Sequence, residues 1–563
     1  MKLKFPMILR FPDVLRHRLD ALHVAFAAAI KHTGYHSAYH GVFPVKVNQN
    51  EAVVQDMVRF GHEHDHGLEA SSKPDLLTAM SCLLTRAKSG AYLVCNGYKD
   101  KDYVALTLAA RGMGFSAVIV LEMEEELDIV VEQSRRLGVE PTIEQSRRLG
   151  VEPAIGVRAK LLTRLPGHFG STAGKHGKFG ILAERIYEVA RKLKVLNKQH
   201  WLKLLHFHVD SMIPSTDIVF KAASEAAGIY CALVNDFGAE AMTTLDCGGR
   251  LGVDYDGTRS GNSDMPVAYG LEEYASSIVQ AVRLKCDDNG VHPVLCMESG
   301  RAIASHHSMI ILEALSAIPE PRDDSETTEQ LHAKIHELAT KQQPRAGGVA
   351  AGMSSSHALD IKKQGIEMYK LGKKLSKSVM ADATIIYNYH MNLSVFSLVP
   401  DFWGIQQLLP MMPVSRLHER PTCMATLVDL KMDSDGKIEK FIGGAETLPL
   451  HSLDPAVGGH YVAVFLSSTY QEALSSKHNL FGGPSLVRVL GDDDGEFILD
   501  TVDLGPVTEE LIGTMRYNVK EDIGGVIEER ARKKQVWEMV GALVENGLNT
   551  MPYLVNYQPP PTA

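Results

Sequence analysis

GVFPVKVNQNEAVVQDMVRFGHEHDHGLEAS, residues 41–71, contains one unit of the architecture. It opens with a short apolar run, GVFPVKVN (41–48), continues through EAVVQDMVRFG with apolar residues at three- and four-residue steps, and closes with a second run, HGLEAS (66–71). Strand, helix and strand in that order make a βα unit of a parallel sheet. Outward from this unit the alternation recurs to residue 299, in AYLVCNG (91–97), SAVIVLE (116–122), AIGVRAKL (154–161), LLHFHVD (204–210), TTLDCGG (243–249) and PVLCMES (293–299). KPDLLTAMSCLL, KDYVALTLAARG and LEEYASSIVQAVRL fill helical intervals between them. Eight parallel strands with eight crossovers predict an α/β fold of the (β/α)8 TIM-barrel type, with its chemistry where the strands end on their carboxyl side.

The residues at those ends are Lys46, Glu69, Arg158, His208, Gly248, Gly249 and Glu298. Taken singly, a lysine at a strand end is an ordinary solvated charge and a histidine an ordinary hydrogen-bonded residue. An amine, an imidazole, two carboxylates, a guanidinium and a glycine turn converging on one mouth form a chemically competent set.

Residues 1–316 are read as this barrel. Composition changes after Ser316: residues 317–386 are polar and helical, broken by a Gly/Ser/Pro-rich stretch around Gln343–Ser356, and read as an inserted helical segment. Strand patterns resume in TCMATLVDLKMD, GKIEKFIGG, GHYVAVFLSSTY and SLVRVLGDDDGEFILDTV, with turns at Asp435-Gly436 and Asp494-Gly495, so 387–510 read as an all-β domain. Residues 511–563 return to helix.

The 563 residues carry 58 Lys plus Arg against 68 Asp plus Glu, a formal charge of −10, which argues against a nucleic-acid partner. Seven scattered cysteines, never spaced as CxxC, suggest neither a disulfide framework nor a structural zinc site. No apolar run reaches about 18 residues, and the first twenty residues lack the pattern of a secretory signal, so a cytoplasmic protein without a membrane partner is expected. Residues 132–143 and 144–155 are a tandem copy differing at one position, too short and too few for a repeat architecture. GSTAGK (170–175) has too short a glycine spacing for a phosphate-binding loop, and the alternating His62, His64 and His66 read as a polar turn in preference to a metal site.

The strings YHGVFPVKVNQN, GLEASSKPDLL, LVCNGYKDKDYV, GHFGSTAGKHGKFGI, LLHFHVDSMIPST, ESGRAIASHHS, NLSVFSLVPDFWGI, DSDGKI and KHNLFGGPSLVRV resemble the biosynthetic arginine decarboxylases, closest to the plant form, over roughly residues 7–490. These are barrel-type pyridoxal-phosphate enzymes related to ornithine and diaminopimelate decarboxylases. The resemblance implies decarboxylation of L-arginine to agmatine and CO2, the first step of polyamine synthesis. It implies that Lys46 bonds the aldehyde of pyridoxal phosphate, a role suited to an amine with a depressed pKa. Glu298 would hold the ring nitrogen and His208 would stack on the ring. Gly248, Gly249, Arg301, Ser211 and Tyr470 would hold the phosphate, while Glu69 and Arg158 orient the lysine and ring. A head-to-tail homodimer or higher oligomer would complete each site with KMDSDG from the neighbour, offering Asp433 and Asp435 to the guanidinium. Mg2+ enters by resemblance alone, with no residues assigned to it, and chloroplast is the alternative location if a targeting segment is missing from this chain.

The chain departs from the family pattern at several positions. Met432 stands where the family has a cysteine thought to reprotonate the α-carbon, and a thioether has no proton to give. Arg250 replaces the third glycine of the phosphate loop, Asp210 a glycine after His208, Ser467-Ser468-Thr469 a Gly-Gly-Ala, and Gln406 an aspartate. The first strand of the β domain is expected to be missing together with the family's N-terminal extension. These departures leave a second reading open, an impaired homologue that dimerises with and regulates an intact paralogue.

Overall fold

The computed structural model describes residues 4–86, 91–137, 152–163, 177–209, 212–249, 251–260, 266–320, 328–340, 363, 367, 368, 370, 371, 385–453, 459–492 and 494–554. The tandem copy falls largely outside these residues, as do GSTAGK, the 343–356 stretch, Asp210, Ser211 and Arg250.

The chain opens with β1 (Met7–Arg10) and α1 (Pro12–Thr33). Eight strands then close on themselves: β2 (Tyr39–Pro44), β3 (Gly67–Ala70), β4 (Tyr92–Cys95), β5 (Ser116–Leu121), β6 (Ile155–Ala159), β7 (Leu202–Phe207), β8 (Thr244–Asp246) and β9 (Val294–Met297). All neighbours are parallel, and β2 meets β9 with Tyr39 opposite Leu295 to complete the barrel. Each strand lies within one of the eight runs read from the sequence or begins within two residues of it. The helices Glu51–Gly61 and Lys101–Gly112 coincide with their predicted segments. Seven crossovers link eight strands, and α1 packs against the helix Leu271–Asp287 to fill the eighth place in the outer ring.

Side chains of Val42, Val94, Val118, Val120, Ala154, Leu204 and Cys296 form a cluster separate from the main core. They come from β2, β4, β5, the residue before β6, β7 and β9, so they fill the barrel as a dry plug and not a pore.

The second sheet is built from β10 (Ser308–Pro319), β11 (Ile386–Met391), β12 (Met411–Pro413), β13 (Cys423–Val428), β14 (Lys437–Ile438), β15 (Leu448–Leu450), β16 (Tyr461–Phe465), β17 (Ser485–Gly491) and β18 (Phe497–Asp503), together with β1. Its main path runs β14-β13-β11-β10-β1-β17-β18. The expectation that its first strand is missing is overturned: β1 lies between β10, antiparallel, and β17, parallel. The four residues MILR are too short a run to show a strand period, and they are buried by their neighbours. β10 begins before Ser316 and continues past it, pairing with β1, β11 and β16. Of the predicted helical insertion, Thr328–Thr340 is a helix, and the tail carries helices at Thr508–Thr514, Val526–Lys533 and Trp537–Leu548. Among the described residues no helix is long and apolar enough to cross a membrane.

Candidate active site

Above the apolar plug the lumen turns polar. Glu69, the penultimate residue of β3, is fully buried and accepts a hydrogen bond from Ser71 Oγ at 2.5 Å. Glu298 follows β9, and Asn96, just beyond β4, donates to its Oε1 at 2.6 Å. His206 Nε2 on β7 lies 3.7 Å from Glu298 Oε2. Asp246 on β8 accepts from Gly248 N at 2.9 Å. Glu122, beyond β5, pairs with Arg158 at 2.9 Å and accepts from Gly97 N, and the Arg158 guanidinium lies 4.9 Å from the centre of the Phe179 ring.

Lys46 occupies the single helical turn Val45–Val47 after β2, accessible yet recessed in the mouth. The expectation of a depressed lysine pKa is corrected here. Glu69 raises it, and Glu298 adds to the effect, together outweighing the downward pull of burial. Glu298 itself is driven well above the carboxylate range, first by burial, then by Asp246 and Glu69, with Lys46 and Asn96 opposing. Burial beside two further carboxylates thus disfavours the ionised form of Glu298.

The strand ends beside them shape a cradle. Gly248 has φ +66°, and a Cβ on Gly249 would lie 1.9 Å from the Glu298 carbonyl oxygen, so a larger residue at either place would displace the backbone. Gly249 N donates to His208 Nδ1 at 3.2 Å, tying the imidazole to the glycine turn. Arg301, on the short helix after Glu298, donates to Tyr255 Oη at 2.9 Å and lies 4.8 Å from the centre of the Tyr470 ring. Tyr470 comes from the second sheet's domain in a left-handed conformation, and its N–H donates to Val47 O at 2.9 Å, one residue from Lys46.

The family profile described as "Pyridoxal-dependent decarboxylase, pyridoxal binding domain" matches residues 20–305. An arginine decarboxylase of Avena sativa is 72% identical over 100% of this chain and 90% of its own length. Arginine decarboxylase 2 of Oryza sativa is 68% identical over 100% and 89%. This chain belongs to the arginine decarboxylase family. The solved biosynthetic arginine decarboxylase of Campylobacter jejuni superposes with a TM-score of 0.77 at 26% identity, covering 99% of this chain and 93% of that one.

For a member of this pyridoxal-dependent family, the mouth must accept a flat, phosphate-bearing ring. The donor set fits: an accessible amine, a buried carboxyl, a left-handed glycine turn, an arginine, and buried Glu69 Oε2, Asn96 Oδ1 and Arg301 Nε with no hydrogen-bond partner among the described residues. Lys46, Glu69, Arg158, His208, Gly248, Gly249, Glu298, Arg301 and Tyr470 are all brought to this end of the barrel. Ser211 lies outside the described residues.

The departures around Tyr470 find partners. Asn48 Nδ2 donates to Ser468 O at 2.9 Å, Ser468 Oγ lies 3.4 Å from His307 Nε2, and Thr469 Oγ1 lies 3.2 Å from Ser305 Oγ. Gln406 takes the left-handed position that ends the helix Pro400–Ile405.

Met432, Asp433 and Asp435 are elsewhere, in the turn between β13 and β14. Met432 is 96% exposed. Asp433 lies 3.3 Å from His478, and no hydrogen bond or ion pair among the described residues joins positions 432–435 to the mouth. The turn is anchored from below by Asp429, which accepts from Val395 N at 3.0 Å and Lys431 N at 2.9 Å, and by Lys431, whose ammonium lies 4.5 Å from the centre of the Phe396 ring.

Sequence reading passed over Asn96, Glu122, His206, Asp246 and Tyr255. Strand alternation carried the signal for His206, since it lies two residues from His208 on the same strand run. The polar-turn reading holds for His62 and His64 only: among the described residues His64 pairs with Asp20 at 2.9 Å, whereas His66 is buried, with its Nδ1 facing His23 Nε2 at 3.3 Å. The metal-competent group among the described residues is His206, Asp246 and Glu298, which share the cofactor end of the barrel.

Proposed function

We propose that this protein decarboxylates L-arginine to agmatine and CO2, with pyridoxal phosphate held in the barrel mouth. The observation that carries the reading is Lys46 beside Glu69 and Glu298 in a mouth closed by Tyr470, in a chain 72% identical to an arginine decarboxylase. When bound, pyridoxal phosphate supplies an electron-accepting ring that stabilises the charge left at the α-carbon as CO2 departs. Lys46 Nζ is the amine for its aldehyde carbon, and Glu69 keeps a compensating charge nearby. Glu298 presents a carboxyl oxygen to the ring nitrogen and keeps a proton there. His208, braced by Gly249 N, covers one ring face. The N–H groups of the Gly248–Gly249 turn, Arg301 and Tyr470 hold the phosphate, with Ser211 assigned by resemblance. Arg158, fixed by Glu122 and Phe179, walls the ring.

The exposed turn at 432–435 supports a head-to-tail homodimer in which Asp433 and Asp435 of one copy meet the substrate guanidinium in the other. In such a dimer Met432 would bring no proton to the reacting carbon, and turnover would be reduced accordingly. The test is the visible absorbance of purified protein mixed with pyridoxal phosphate, its fixation to Lys46 by borohydride, and agmatine release from arginine. A chain that binds no cofactor, or binds it and releases no agmatine, defeats the proposal.

A further inference from the structure

Beneath Glu298 lies a layer that the roles above leave unused. Its two oxygens are approached from different sides of the barrel: Asn96 donates to Oε1 at 2.6 Å, and His206 Nε2 lies 3.7 Å from Oε2, close enough for an electrostatic effect and too far for a hydrogen bond. His206, Asp246 and Glu298 each place one ligand-type atom within 4.8 Å of the others, and all three are buried. Asp246 in turn accepts from Gly248 N, so the same carboxylate touches the glycine turn and the group under Glu298. We propose that His206 is a positioning residue for Glu298, holding its Oε2 side against the charge of Asp246 while Asn96 holds the Oε1 side.

The reasoning is electrostatic. Glu298 faces Asp246 on β8, Glu69 on β3, His206 on β7, Lys46 in the turn after β2, and Cys296 on its own strand. The two carboxylates disfavour an ionised Glu298, whereas Lys46 and Asn96 favour it, and on this proposal an imidazole N–H turned toward Oε2 adds to their side. A carboxylate is what a ring nitrogen must meet if it is to stay protonated, so His206 shifts the balance toward the ionised form at the deepest point of the site. An apolar side chain would fill the same volume without that effect. Holding a proton on the ring nitrogen thus depends on a second tier of the barrel as well as on Glu298.

The inference rests on the cofactor assignment above, and its test separates the two. In full-length protein loaded with pyridoxal phosphate, the pH midpoint of the visible absorbance change is measured for wild type, His206→Phe, His206→Gln and Asp246→Asn. Losing the imidazole should move the midpoint up by about one pH unit, and losing the Asp246 charge should move it down by a similar amount. His206→Gln, which restores an N–H donor, should return close to wild type. In cofactor-free protein the infrared carbonyl band of the protonated carboxyl, assigned by its loss in Glu298→Gln, should grow in His206→Phe and shrink in Asp246→Asn. If His206→Phe does not fold, His206→Ala takes its place. Variants that fold yet leave both readouts unmoved, or move them in one common direction, overturn the proposal. A chain that takes up no cofactor defeats the assignment above instead, and the infrared measurement still decides this one.

Discussion

The barrel mouth and the turn at 429–436, to which the proposed function gives the two halves of the chemistry, are built in opposite ways. In the mouth, Glu69, Glu122, Asp246 and Glu298 are buried with partners in the same chain: Ser71 and Gly248 two residues on from Glu69 and Asp246, Arg158 on the next strand for Glu122, and Asn96 from across the barrel for Glu298. In the turn, the base is fixed by Asp429 and Lys431, and the tip is exposed, with Met432 at 96% and Asp433 held only by its half-exposed pairing with His478. A buried carboxylate needs its partners in the same chain, because desolvating it without them costs several kcal/mol. An exposed turn can wait for a partner from outside. The contrast is what the proposed head-to-tail dimer requires, with the cofactor's surroundings braced within one chain and the turn left open to a neighbour.

The largest expected effect tests the mouth. Lys46→Ala should abolish borohydride-fixed cofactor and lower arginine turnover on the order of 10⁴-fold. Because Lys46 is accessible, Tm should barely move. Retained fixation would place the cofactor amine elsewhere. Met432→Cys should raise agmatine formation by about 10²-fold, the usual range for a positioned acid. If cofactor binds and nothing is gained, the turn does not supply the proton. Asp433→Ala should reduce kcat/KM for arginine by about tenfold or more while leaving turnover of ornithine and lysine nearly unchanged, since a planar guanidinium loses a bidentate partner. Equal losses on all three would remove the turn from specificity.

The smallest effect belongs to the far end of the barrel. Burial pushes His23 down to about 2 and His66 to about 3, with neighbouring imidazoles adding to it. The unfolded chain takes up protons near the ordinary histidine value of about 6.5, and the folded chain does so only far below it. Stability from these groups is therefore full above pH 6.5 and falls as pH drops from there toward 2–3. Melting followed from pH 7.5 to pH 5 should show Tm declining by a few degrees, at about 1 °C per kcal/mol for a chain of 563 residues. A His66→Leu variant should flatten the decline. An unchanged slope would show that the imidazoles do not set it.

The barrel was legible because its strands are fully buried and read as unbroken apolar runs whose polar ends mark the mouth. Lys46, His208 and Glu298 stood out as chemistry-bearing residues at the ends of such runs. His206 and Asp246 did not, because they lie inside their runs and only the closed barrel brings them under Glu298. Asn96 was hidden by its neighbour Gly97, which reads as a turn. The rise in the Lys46 pKa could not be read from sequence, since it depends on the distance to Glu69 and not on burial alone. β1 was missed for a simpler reason, as four residues carry no period.

That short strand also imposes an order on synthesis. Met7, Ile8 and Arg10 are buried between Ser308–Pro319 and Ser485–Gly491, so the strand near the start of the chain waits for partners made roughly 300 and 480 residues later. At translation rates of about 5–20 residues per second, the second partner arrives roughly half a minute to a minute and a half after the first strand leaves the ribosome. The barrel, whose strands all precede residue 300, has its full set of strands in that interval, while the central strand of the other sheet still lacks neighbours. Until the chain is nearly finished, Met7 and Ile8 present an unpaired apolar edge, the kind of surface that chaperones cover and aggregation exploits.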